Sequence, residues 1–519
     1  MGIMAFAVPP GADPDPCWGF LVMHGMEQGN HFNLLITPDP ANIAINQSSF
    51  LSWWSPGQYL LPYLFKTLLK VDTGHAISLT VISCSLIGLG GFYMLFKHLG
   101  FTKWLAAISV AFIATQLFFI MPFVYYTGGE VLLFAFMGWF LYGCFYFKKI
   151  RWPVLVFVFL GLLIGFFSKS SVLWMYVAGI ACVWMNVSIN ETLQLQSAIN
   201  YNPIGWPGFK KRFKIWLLNG MLLAVPFICA FAIIYIFYLS KGPNPATGTG
   251  ILLVKPETFG FPLASPMLSA FSIDELFNGL IYQPDRPTIS YHWAILILFI
   301  LVFFSLLFIL LISRFSPGKK YLTAIITLYI FGVVFFSYMF LKQAAISYEG
   351  RHFRIIGLLA IPGIVYLFFR SKVGRVLFFI IWIVFIYIGF IFFKGEFKAN
   401  KQASRGNSGI SQQLYDEATM REITTIDRAH KDAIFVVMSS DIAAEINNNR
   451  VITVDTESIT DSDGSKLRYT GKSGPIYILM PGEYVTNGMK EGIINSFTGY
   501  HKFAFKQLSP DYYLYYASN

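Results

Sequence analysis

Four short stretches of this 519-residue chain set acids and bases beside turn-forming residues, in patterns that could carry chemistry. The first is Asp13-Pro14-Asp15-Pro16. Proline fixes φ and removes a backbone donor, so the spacing predicts two carboxylates projecting from a stiff, extended segment. Such carboxylates serve as a general base or help to hold Mg2+ or Mn2+. The same residues also suit the N-cap of a helix beginning near Trp18. The second stretch, Tyr125-Tyr126-Thr127-Gly128-Gly129-Glu130, delivers an acid through a tight turn to the start of a helix. There Glu130 is either a catalytic acid or a partner of the helix dipole. The third, Ser168-Lys169-Ser170-Ser171, holds a lysine that either snorkels to a lipid boundary or meets a lipid phosphate. The fourth runs from Ser347 to Arg354 and holds Glu349, Arg351, His352 and Arg354. Two arginines three apart share one helix face. Guanidinium groups bind phosphate bidentately, although arginines also anchor helices at a membrane interface. Trp53-Trp54 suits stacking on a sugar ring, and tryptophan is also commonplace at membrane surfaces. His24 and His31 stand seven apart, a spacing that matches no familiar metal site. Asp274-Glu275 either guides an acceptor or solvates a loop.

The elements that must position these residues are membrane helices. The chain is 55% hydrophobic and 13% charged, against about 25% charged in soluble domains. The formal charge of +11 gathers in short loops between apolar runs, a positive-inside pattern rather than a nucleic-acid surface. The five cysteines show no paired spacing, so neither a disulfide framework nor a zinc site is indicated. Ten apolar runs predict spans at roughly 76–96, 104–124, 131–147, 153–167, 172–187, 215–239, 293–312, 321–341, 355–369 and 376–393. Met1–Pro10 is too short to span and reads as the end of a helix that starts upstream. Alternate loops carry nearly all the lysine and arginine, which places the acidic set on the outer, extracytoplasmic side of the cell's inner (plasma) membrane. The expected division is a transmembrane domain over 1–394, with a first outer loop at 11–75, and an outer α/β domain over 395–519. Lys394–Arg405 reads as a polar linker. Beyond it, strands alternate with helices, which predicts a mainly parallel sheet with a docking or substrate-guiding role.

Taken in order, Asp13/Asp15, Trp54-Ser55-Pro56-Gly57-Gln58-Tyr59, Thr127-Gly128-Gly129-Glu130, Gly161–Lys169 and Glu349–Pro362 resemble the C-type superfamily of glycosyltransferases, which use polyprenyl-phosphate-linked sugars. The resemblance covers about residues 10–370. It implies a polytopic α-helical fold of 10–11 spans, and sugar transfer to a glycan, lipid or protein acceptor. It implies catalytic roles for Asp13, Asp15 and Glu130. Lys169, Glu349, Arg351, His352, Arg354, Trp53 and Trp54 would then bind the substrate, with Asp13 and Asp15 as ligands if a metal takes part. Two other readings compete. A non-catalytic subunit of a membrane assembly would not need Asp13 or Glu130. A transporter would be expected to carry buried charges, paired broken helices and inverted repeats, whereas the spans carry few charges and the sequence shows no paired broken helices or inverted repeat.

Overall fold

The computed structural model describes residues 1–199, 206–242, 251–273, 290–344, 346, 348–454 and 468–518. All ten apolar runs are helical. Eight of the described helices are long and apolar enough to cross a membrane, and a ninth crossing arises if a bent pair counts as one. That pair, Lys103–Ile113 and Leu117–Phe123, turns by 70° at its break. The break falls at buried Gln116, whose side-chain oxygen accepts from the Ser272 hydroxyl at 3.4 Å. Trp152–Ser168 is apolar but has only 17 residues. At 1.5 Å per residue it reaches about 25 Å, short of a typical hydrocarbon core. Outward rows of Leu, Ile, Val and Phe on Tyr291–Phe315 and Lys372–Gln402 remain exposed, as a lipid-facing surface requires. The chain is an integral membrane protein.

The chain forms two compact units. One comprises 83–120 and 129–391, and the other 1–82, 121–128 and 392–519. The first unit holds a helix absent from the sequence reading, Pro256–Ala270, with Pro262 and Pro266 inside it. Twelve of its fifteen residues are buried. Prolines free backbone groups that a buried helix must satisfy elsewhere. Here Tyr329 donates to the Leu263 carbonyl, while Ser305 donates to that of Ala264 and accepts from the Met267 N–H. Gly357 allows this helix to pack closely, since a Cβ there would lie 2.5 Å from Ser269.

In the second unit the chain begins with a short helix, Gly2–Ala7, followed by Pro14–Glu27. An antiparallel hairpin, Leu34–Asp39 with Asn42–Phe50, leads to the helix Gly57–Leu69. The predicted linker is helical instead, because Lys372–Gln402 runs through it. Lys, Glu, Ala and Gln are good helix formers, and polarity alone misled the reading. The C-terminal sheet has five strands in the order 450–453, 434–437, 476–481, 512–517, 504–507. Its first two pairings are parallel and its last two antiparallel, so it is mixed rather than mainly parallel. The parallel half follows the strand–helix alternation. The antiparallel half is made by the final hairpin, which needs no crossover helix. Ile43 of the N-terminal hairpin is buried in this domain's core beside Ile434, Ile476 and Phe497.

Candidate functional site

In the unit formed by 83–120 and 129–391, three helix ends converge on one ionic cluster. Glu130 lies in the first turn of Gly129–Tyr146. Lys169 caps the end of Trp152–Ser168 in an extended conformation and returns its N–H to the Gly165 carbonyl. Arg351 sits in a single 3-10 turn, Gly350–Phe353, ahead of the helix Arg354–Phe368. The Lys169 ammonium donates to Glu130 Oε1, and Arg351 Nη1 lies 3.7 Å from the same oxygen. Arg351 Nε also pairs with Glu349. Gly129 makes the approach feasible, because a Cβ there would stand 2.8 Å from the Ser168 carbonyl oxygen. The Lys169 and Glu130 side chains are 16% and 24% exposed, so the pair is largely withdrawn from water yet open on one side. Burial and the charge of Arg351 hold the Lys169 ammonium below its ordinary range, against the opposing pull of Glu130.

The two arginines belong to consecutive elements rather than to one α-helix. Arg354 opens the helix and lays its guanidinium over the Phe118 ring at 4.3 Å, a cation–π arrangement. His352 packs its ring against Phe336 at 5.5 Å, and among the described residues its buried Nε2 finds no hydrogen-bond partner. An apolar cavity of about 470 Å³ lies farther along the same helix, lined by Met267, Phe271, Phe304, Phe308, Ile364 and Leu367.

Asp13 and Asp15 belong to the other unit. They do not lie in a free extended strand, because the helix starts at Pro14 and Asp13 is its N-cap. Its Oδ1 accepts from the Asp15 N–H at 3.0 Å. The prolines suit this, since the first helical turn has no use for their missing donors. Just upstream, Gly11 and Ala12 pair in parallel with Tyr125 and Tyr126, and the Asp13 N–H donates to the Tyr126 carbonyl at 2.9 Å. The Tyr126 hydroxyl in turn donates to the Gln58 carbonyl at 2.6 Å. Gly128 has φ +79°, and a Cβ on it would meet Gln58 Oε1 at 2.6 Å, so this turn requires glycine.

The C-terminal region supplies residues that the sequence reading did not single out. The Ser440 hydroxyl donates to the Pro14 carbonyl at 2.5 Å. Burial pushes the Tyr125 phenol up, and the charges of Asp13, Asp441 and Asp15 push it further. Asp441 therefore joins the electrostatic neighbourhood of the first loop. A readable signal existed. Ser439-Ser440-Asp441 follows the carboxyl end of a parallel strand, where α/β sheets place functional groups.

Trp53 and Trp54 occupy a half-buried bend after the hairpin. It is pinned by Tyr59, which donates to Asn33 Oδ1 at 2.6 Å, and by Asn33 Nδ2, which donates to the Leu51 carbonyl. His24 bonds the Asn447 carbonyl and lies 3.6 Å from Glu27. Among the described residues no group of three or more His, Cys, Asp or Glu is arranged to hold a metal ion. One Asp13 oxygen caps a helix and Glu130 is committed to two cations. This donor set does not fit Mg2+ or Mn2+, and no step below runs through a metal. Asp274 and Glu275 lie outside the described residues.

No protein-family model and no curated protein sequence matches the chain. Solved structures do. ArnT from Cupriavidus metallidurans bound to undecaprenyl phosphate is 11% identical with a TM-score of 0.49, across 99% of this chain and 96% of that one. The archaeal oligosaccharyltransferase AglB from Archaeoglobus fulgidus, in complex with an inhibitory peptide and a dolichol-phosphate, is 12% identical with a TM-score of 0.48, across 99% of this chain and 71% of that one.

Proposed function

We propose that this chain is a membrane glycosyltransferase that moves a sugar from a polyprenyl-phosphate donor to an acceptor hydroxyl or amide at the outer membrane face. The observation that carries this reading is the cluster in which a lysine and an arginine from separate helix ends meet on one carboxylate. Cations gathered this way suit the phosphate of a lipid carrier. Lys169 and Arg351 take the leaving phosphate, and Glu130 keeps the two cations together in the absence of donor. The apolar cavity offers walls for an isoprenoid tail. Ile364 stands ten residues beyond Arg354, about 15 Å along a helix.

The acceptor proton goes to Asp13 or Asp15 as general base. The acceptor atom bonds to the anomeric carbon as the C–O bond to the phosphate breaks through an oxocarbenium-like state, the electron pair of that bond passing to the phosphate oxygen, with inversion expected. Positive-inside loops place the acidic loop and the C-terminal domain outside the cytoplasm.

The test is transfer of a radiolabelled sugar from lipid-linked donors by the purified chain. Replacing the true base by Asp13→Asn or Asp15→Asn should cost at least about 100-fold in turnover. Unchanged turnover in both variants would defeat the reading.

A further inference from the structure

We propose that Glu130 is an internal competitor for the anionic head group: its carboxylate sits where a phosphate would sit on Lys169 and Arg351, and binding a lipid phosphate requires its displacement. The inference rests on the reading of this cluster as a phosphate site and adds how that site empties. A donor phosphodiester carries one negative charge, whereas the product monoester carries about −1.5 to −2 at neutral pH. Two converging cations therefore hold product more tightly than donor, and release becomes the difficult step. A tethered carboxylate that can return to both cations shortens the product's stay.

The geometry suits such an exchange. Glu130 Oε1 faces both cations, with the ammonium in direct contact and Arg351 Nη1 at 3.7 Å. Arg351 retains Glu349 when Glu130 leaves, so its charge is not stranded. Glu130 itself lies in the first turn of its helix and is partly open to solvent. A swung-out carboxylate there keeps water and the positive end of the helix dipole. Lys169, in a capping turn between two helices, is the group that changes partner. Weak anions fail to displace a carboxylate already in place, which makes the site selective for phosphate.

The experiment is equilibrium and stopped-flow binding of undecaprenyl phosphate to the full chain in zwitterionic nanodiscs, with undecaprenol and inorganic phosphate as separate arms. Glu130→Gln should bind undecaprenyl phosphate about tenfold more tightly, mostly through slower dissociation. Glu130→Asp keeps the charge but shortens its reach, and it should gain affinity by a smaller factor. In a Lys169→Ala background the Glu130→Gln gain should fall below about threefold, as a shared partner requires. Undecaprenol should bind all variants equally. Inorganic phosphate alone should bind Glu130→Gln more tightly than the wild type. Thermal melts establish that each variant is folded. Unchanged or weaker binding in both Glu130 variants, with wild-type binding intact, overturns the inference and leaves the phosphate site standing. So does an equal gain from Glu349→Gln, which would reduce the effect to general charge. Failure of the wild type to bind undecaprenyl phosphate at all overturns both.

Discussion

Asp13 and Glu130 both stand at the start of a helix, and the protein treats their carboxylates in opposite ways. Asp13 is satisfied locally, by the N–H two residues on, and its own N–H donates to the Tyr126 carbonyl. Glu130 is satisfied at long range, by cations thirty-nine and more than two hundred residues away in the chain. A backbone donor fixes a carboxylate in place without adding a counter-charge. A lysine and an arginine turn a carboxylate into a counter-ion. The sequence presents two similar acids, and their surroundings hold them in different ways.

The comparison breaks most visibly at Lys169. Lys169→Ala strips the ammonium from a pair that is mostly withdrawn from water. Glu130 then keeps only the longer contact with Arg351, and a poorly paired, partly buried carboxylate is costly, so the expected loss is about 2 kcal/mol of stability, read as a lowered melting temperature in detergent. Glu130→Gln added to Lys169→Ala should recover part of that loss, since the stranded charge is then gone. If the double variant melts lower still, the pair is not the unit that matters.

Asp13 should respond on a smaller scale and to a different chemistry. Asp13→Ala removes a helix cap and should cost about 1 kcal/mol. Asparagine caps as well as aspartate does, so Asp13→Asn should melt within about 0.5 kcal/mol of the wild type. Melting curves for the two variants check this directly. A stable but inactive Asp13→Asn would separate the proton-accepting role from the capping role. Equal melting of the Ala and Asn variants would instead remove the cap from the account.

Much of this division was legible before any coordinates. Apolar runs of sufficient length located every long helix, because a bilayer leaves few other solutions. Glu130, Lys169 and Arg351 stood out as charges at helix ends, and they do meet. What stayed hidden depended on partners distant in the chain. Pro262 and Pro266 argue against a helix until Ser305 and Tyr329 are seen to take up the backbone groups. The platform under Arg354 is one such feature, because nothing in the sequence announces Phe118 as its partner. Ser440 and Asp441 were passed over because only the folded chain brings them to Pro14 and Tyr125.

Glu27 offers the mildest version of the contrast. It resembles Glu130 in taking a lysine, Lys66, at 2.6 Å, and it has His24 at 3.6 Å. Both its own side chain and that of Lys66 are about a quarter exposed (27% and 26%). Burial alone would raise its carboxyl, but hydrogen bonds from His24 and Lys66 and the Lys66 charge outweigh this and hold it below its ordinary value of 4.5. A depressed folded value favours the ionised form. The stabilisation is therefore fully present above the ordinary value and is lost as pH falls through the lower, folded one. Screening at this exposure limits it to about 1 kcal/mol or less. Melting temperature followed from pH 6 down to pH 3 should accordingly fall less steeply in Glu27→Gln than in the wild type, with the two curves converging at the acid end. Parallel curves would mean that Lys66 gives Glu27 no advantage over its unfolded state, and that the ion pair of Glu130 owes its strength to withdrawal from water rather than to charge pairing as such.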